Sequence, residues 1–174
     1  VDGPRRQNIR KNHTATHLMH AALKEVLGDH VNQAGSLVHP NYLRFDITHH
    51  EKITADELRQ IETIVNREIM DNTDVMTSVK DYEDARKEGA VAFFGEKYGD
   101  TVRVLTIGDF SKELCGGTHV QNTGDIWHFK IVSESAIASG IRRIVAITND
   151  AVKDFYFENS RVLFEVKGLL NNAK

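Results

Sequence analysis

The chain has a single cysteine, Cys115, in the stretch ELCGGTHV, and His119 follows it four residues later. A second pair, His13 and His17, sits in NHTATH near the N-terminus. Side chains four apart on a helix project from one face with Cβ atoms about 5–6 Å apart, which suits two imidazoles on one metal ion. Cys115 and His119 can converge on one point if Gly116 and Gly117 allow a tight turn between them. Each pair alone has an ordinary reading: histidines on a polar helix face, and a Gly-Gly hairpin turn. Together they make three histidines and one cysteine, a tetrahedral zinc inventory, so Zn is the expected cofactor. His17 and Cys115 are 98 positions apart, so such a metal would pin the first helix to a late loop. No Glu follows His13, so the HExxH arrangement with its built-in general base is absent. A lone cysteine also excludes an internal disulfide framework.

The elements that must position these residues can be read from periodicity. A helix is expected from Asn12, as its cap, through NHTATHLMHAALKEVLG to a stop at Gly28. YLRFDIT, Tyr42 to Thr48, alternates like a half-buried strand whose partner comes later. Thr54 and Glu57 form a capping box ahead of an apolar stripe at Leu58, Ile61, Val65 and Ile69, which predicts a long amphipathic helix lying on a sheet. Further strands are expected in VMTSVK, in Thr101 to Ile107, in Asp125 to Glu134 and in Ile141 to Thr148, with a short helix near Tyr82 to Glu88. Strands and helices do not alternate regularly, so the expected class is α+β with a mainly antiparallel sheet. After Thr148, the residues Val152, Phe155, Asn159, Val162, Val166 and Leu169 recur three or four apart. They predict a helix leaving the domain toward a coiled coil or a following domain. The expected division is therefore one domain over 1–148 and a helix or linker over 149–174.

With 174 residues, 40% of them hydrophobic, the chain can bury a core of its own. No apolar run approaches the roughly 20 residues needed to span a bilayer, so no membrane partner and a cytoplasmic location are expected. The net charge of −3 is unlike that of a protein gripping long nucleic acid. Local basic clusters at Arg5, Arg6, Arg10 and Lys11, and at Arg142 and Arg143, suit a short nucleic-acid end or are solvated surface charge.

NHTATHLMHAAL, QAGSLV, YLRFDIT, LCGGTHV and GIRRIVAIT, in this order and spacing, closely resemble the editing domain of alanyl-tRNA synthetase and its freestanding relatives, the AlaX proteins. The resemblance runs from about Arg5 to Thr148. The editing domain of threonyl-tRNA synthetase is related in fold and carries a similar HxxxH and CxxxH set, but the GGTH and GxRRI wording points to the alanyl side. Trp127, His128 and Asn149 depart from the family pattern, Trp127 being bulky where a glycine is usual. The class II aminoacylation motifs and the glycine-rich C-terminal module are absent from the chain, which predicts a fragment of a larger synthetase partnered by its other domains.

The resemblance implies zinc-dependent hydrolysis of the ester on tRNA(Ala) wrongly charged with serine, and secondarily glycine, at the CCA end. A site sized for alanine cannot strongly reject glycine, nor a serine that merely adds a hydroxyl, so a second sieve is needed. His13, His17, Cys115 and His119 match the family's zinc ligands, and Gln33 matches a pocket residue important for editing. Gln33 cannot be a general base at ordinary pH, but it can orient water or bind the seryl hydroxyl. Thr14, Thr16 and Ser36 are further candidates for substrate contact, with capping or backbone bonding as their ordinary alternative. Arg142 and Arg143 are candidates for tRNA contact, with a buried ion pair to Asp46 or Glu134 as the alternative for one of them. The alternatives are a zinc-stabilised RNA-binding or interaction module without activity, a threonyl-type editing domain, and a zinc hydrolase of unrelated small substrates.

Overall fold

A computed structural model describes residues 2–92 and 98–171. In chain order the elements are α1 (Gly3–Leu27), β1 (Gln33–Val38), β2 (Leu43–Thr48), α2 (Ala55–Met70), β3 (Val75–Asp81), α3 (Tyr82–Lys87), β4 (Thr101–Ile107), β5 (Ser111–Leu114), a 3-10 turn (Thr123–Ile126), β6 (Phe129–Ala138), β7 (Ile141–Thr148) and α4 (Asp150–Asn171). They build two antiparallel sheets, one in the order β1-β2-β7-β6 and a smaller one in the order β3-β4-β5. The class is α+β, as expected.

The core lies where α1 and α2 cover the larger sheet. Leu18, Met19 and Leu23 of α1 meet Ile61 and Val65 of α2 and Leu43, Phe45, Ile47 and Ile144 of the strands, all fully buried. Each buried apolar side chain of this kind contributes about 1.5–3 kcal/mol. The stripe read on α2 is the buried one, and both halves of the Thr54–Glu57 capping box form. Asn66 then locks α2 to β6, donating to the Phe129 carbonyl and accepting from the Phe129 amide at 2.9 Å each. α2 therefore sits on a sheet as predicted.

Several boundaries differ from expectation. α1 begins at Gly3, with Asp2 as its cap accepting from the Arg5 amide at 3.0 Å, so Asn12 is not a cap. Asn12 is buried mid-helix instead. Its Nδ2 donates to the carbonyls of His39 (2.7 Å) and Pro40 (3.2 Å), and its Oδ1 accepts from Thr148 Oγ1 at 2.8 Å. A polar residue of the type that starts helices thus staples one to the β1–β2 turn and to the end of β7.

β6 starts later than Asp125 because Asp125 closes the 3-10 turn, its carboxylate accepting from the Asn122 amide at 3.3 Å. Trp127 then takes φ 70°, which no strand accommodates. β1 and β5 were not anticipated: QAGSLV lacks a clean alternation, and SKEL is only four residues long. β2 accordingly has an earlier partner, β1, besides the later one, β7.

Candidate metal centre and adjoining pocket

α1 brings His13 and His17 to one face, and the loop after β5 brings Cys115 and His119 against them. One ligand atom from each lies within 4.8 Å of all the others. Cys115 Sγ is 3.5 Å from His13 Nε2 and 3.6 Å from His119 Nε2, and the Nε2 atoms of His119 and His17 are 3.2 Å apart. The four residues expected from the sequence therefore form one cluster that could hold a metal ion.

The loop is held in place by three residues of two elements, α1 and β4. Thr14 accepts from the Val120 amide at 3.2 Å while donating to the Arg10 carbonyl, Arg10 Nε donates to Thr118 Oγ1 at 2.9 Å, and Arg103 of β4 donates to the carbonyls of Gly116 (3.1 Å) and Gly117 (2.6 Å). Only one of the two glycines is sterically required. A Cβ on Gly117 would come within 2.1 Å of the His13 ring, whereas nothing lies within 4 Å of one on Gly116. Neither residue has a positive φ. Gly117 is needed for the closeness of approach to His13, and not for backbone freedom.

Sequence reasoning overlooked Glu113. Its buried carboxylate bonds to His17 Nδ1 through Oε2 and to His20 Nδ1 through Oε1, the latter at 2.8 Å. The bond to Nδ1 leaves His17 Nε2 directed at the cluster, which is how a carboxylate orients and enriches a metal-ligating imidazole. No local pattern singles Glu113 out: it lies two positions before Cys115 on a strand of only four residues.

The electrostatics follow from this packing. Burial disfavours the charged form of every member, but short hydrogen bonds dominate for three of them. Bonds with His119, His13 and His17 outweigh burial and bring the Cys115 thiol from 9.0 to about 3. Those from His17 and His20 outweigh burial and bring Glu113 from 4.5 to about 2. His17 is raised to about 9 against the effect of burial, by its bonds to Cys115 and Glu113. His119 instead falls to about 4, through burial first and through the neighbouring His13 and His17 charges, against its bond to Cys115. A thiolate thus stands beside three imidazole rings, of which His17 must release a proton before its Nε2 can ligate, and this donor set suits a borderline-soft metal.

The cluster opens on a pocket of about 350 Å³ between the two sheets. His13, His17 and Cys115 line one wall, and Gln33, Thr16 and Ser36 are also in its lining. Gln33 is set there by an irregularity in the β1–β2 register between Gln33 and Gly35, the kind of feature that re-aims a side chain. Thr16 donates to the Asn12 carbonyl at 2.8 Å while its residue faces the pocket. Thr14 lies outside the lining and has both hydroxyl functions engaged in holding the loop.

Arg142 and Arg143 are likewise outside it. Arg142 Nε donates to Glu134 Oε1 at 2.5 Å, and Arg143 makes a two-pronged pair with Asp46 at 2.7 and 2.8 Å. An ion pair with Asp46 or Glu134 was expected of one of the two arginines; the structure pairs both, one with each carboxylate.

Fold, cluster and pocket together describe an α+β domain of two antiparallel sheets with a three-histidine, one-cysteine metal-type centre beside its pocket. Residues 102–145 match the family described as the threonyl and alanyl tRNA synthetase second additional domain. The chain is 57% identical over 165 residues, 95% of its length, to alanine–tRNA ligase 1 of Lachnoclostridium phytofermentans. It is 55% identical over 173 residues, 99% of its length, to the alanine–tRNA ligase of Fervidobacterium nodosum. The chain belongs to the alanyl-tRNA synthetase family, in the segment that carries the editing domain. It spans 19% and 20% of the length of these two curated relatives.

Proposed function

We propose that this segment is the proofreading part of an alanyl-tRNA synthetase: a zinc-dependent deacylase that hydrolyses the ester joining serine, and secondarily glycine, to the 3′ end of tRNA(Ala). The observation that carries this reading is that His13, His17 and Cys115 of the cluster line a pocket that also presents Gln33. Tetrahedral zinc with nitrogen at about 2.0–2.1 Å and sulfur at about 2.3 Å requires N···N separations of roughly 3.3 Å and N···S separations of roughly 3.6 Å. Three of the six separations, 3.2, 3.5 and 3.6 Å, match these values, and all six lie within 4.8 Å. The tRNA, the other synthetase domains and a cytoplasmic setting come with the proposal. Among the described residues no helix is long and apolar enough to cross a membrane.

When bound, zinc supplies positive charge that can polarise the ester carbonyl, acidify a water or hold the substrate's amino group. The chain's own residues do the selecting. Gln33 offers both a donor and an acceptor, so it can bond the seryl hydroxyl or hold the attacking water, and Ser36 and Thr16 line the same space. A pocket built to bond a hydroxyl penalises alanine by leaving those polar groups unpaired, which discriminates more strongly than shape alone. Glu113 is not the general base, because both of its oxygens are committed to histidines.

The test is the rate of hydrolysis of Ser-tRNA(Ala), with Ala-tRNA(Ala) and Thr-tRNA(Thr) in parallel, for the parent chain and for Gln33→Ala. Selective seryl hydrolysis that falls in the variant is expected; equal rates on all three substrates would sink the assignment. A second reading, a metal-stabilised module without chemistry of its own, is favoured by the four-ligand set, since four protein ligands close a tetrahedral site. Metal removal separates the two. Loss of hydrolysis with the fold intact supports the deacylase, and loss of the fold in a chain that never hydrolysed the ester supports the module.

A further inference from the structure

On the far side of the Gly116–Gly117 loop lies a second groove, of about 590 Å³. It shares Arg103 and Gly116 with the pocket described above, and His119 is in its lining as well. The same loop is therefore a wall of both spaces, and the two adjoin across it.

The groove is basic in a chain of net charge −3. Arg6 and Arg10 stand four residues apart, on one face of α1, and Arg103 faces them from β4. Arg10 bonds only neutral partners, Thr118 Oγ1 and Gln7 Oε1. Arg103 bonds the carbonyls of Gly116 and Gly117. Among the described residues none of the three joins an ion pair, so their charges are uncompensated; Arg142 and Arg143 are each matched to a carboxylate. The one acid in the lining, Asp74, is held by Asn122 Nδ2 at 2.7 Å. Three unmatched guanidiniums around a concave surface focus a positive potential there.

We propose that the Arg6, Arg10 and Arg103 groove binds the phosphodiester backbone of the single-stranded RNA end whose terminal ester enters the adjoining pocket. This rests on the deacylase reading of that pocket. Guanidiniums already fixed by bonds to the loop present their remaining N–H groups without further ordering, which favours phosphate oxygens over solvent. The loop that carries two cluster residues is then also the element gripped by the arginines, so bound backbone and reacting ester share one rigid support.

Two substrates and one variant test this: Ser-tRNA(Ala), 3′-O-seryl-adenosine, which has no phosphate, and Arg6→Glu. Arg6 is exposed, and its guanidinium makes no hydrogen bond among the described residues, so the variant folds. Expected is a fall of about fivefold in kcat/KM on Ser-tRNA(Ala), a smaller fall on seryl-adenosine, and a salt dependence shallower by about 0.7 for each phosphate that is no longer neutralised. An unchanged ratio between the two substrates, or an equal fall on both, overturns the proposal. If the parent cleaves neither ester, the pocket reading fails by itself. The groove is then judged on uncharged tRNA(Ala), where salt-dependent binding weakened in Arg6→Glu sustains it and identical Kd values overturn it.

Discussion

At the scale of single residues, Glu113 shows how a side chain two bonds removed from a metal-type centre governs it. It fixes His17 by Nδ1 and holds His20 with its other oxygen. Glu113→Gln keeps the size and one acceptor but loses the charge, and partners of this kind typically contribute 10–100-fold in metal affinity. Competition with a chromogenic chelator should show zinc affinity reduced by about that factor, with the far-UV spectrum of the parent; an unchanged affinity would refute the orienting role. Gly117→Ala tests the other side of the same centre. Its Cβ would sit 2.1 Å from the His13 ring, so ring or loop must move, and metal content per chain should fall well below one in a protein that is still folded. Parental stoichiometry would show that the loop yields instead. The four cluster positions were legible in the sequence because HxxxH and CxxxH are local patterns whose spacing brings each pair together. Glu113 was not, since only the docking of β5 against α1 makes it a neighbour of His17 and His20.

At the scale of elements, the same distinction separates what could be read from what could not. α2 was readable because its capping box and apolar stripe both act within the element. The start of α1 was misplaced for the opposite reason: Asn12 looks like a cap by type, but its side chain is committed to residues 27, 28 and 136 positions away. Likewise β1 is a strand because β2 pairs with it, since its own residues alternate poorly, and the register irregularity at Gln33 follows from that pairing. These long-range bonds make Asn12 a structural prediction. In Asn12→Leu the Pro40 and His39 carbonyls lose their donor and the buried Thr148 hydroxyl loses its acceptor. Leaving buried polar groups unmatched costs about 1–3 kcal/mol each. Urea unfolding should show a loss of at least about 2 kcal/mol with an unchanged m-value. A loss under about 0.5 kcal/mol would mean that water replaces the amide there.

At the scale of the whole molecule, the globular unit and α4 obey different rules. Val152 is fully buried against the domain, whereas Tyr156 through Leu170 are all exposed, Phe157, Phe164 and Leu169 among them at 70%, 75% and 72%. The heptad-like spacing read from the sequence does form a helix, running to Asn171, but the helix is apolar on more than one face. A helix with this composition is made to be covered, and the chain spans only about a fifth of the length of its relatives. Trp127, held in a tight turn at φ 70° and 56% exposed, extends the apolar surface onto the domain beside Phe157 and Phe164. If residues 1–148 and the first turns of α4 are the folding unit, removing 158–174 leaves the core intact. The shortened chain should melt within about 2 °C of the parent, since surface changes away from packed features fall within about 0.5 kcal/mol. It should keep its zinc affinity while binding less of a hydrophobic dye and sedimenting as a smaller species at high concentration. A drop in Tm of more than about 5 °C would show that the exposed turns of α4 stabilise the domain, and that the boundary lies beyond them.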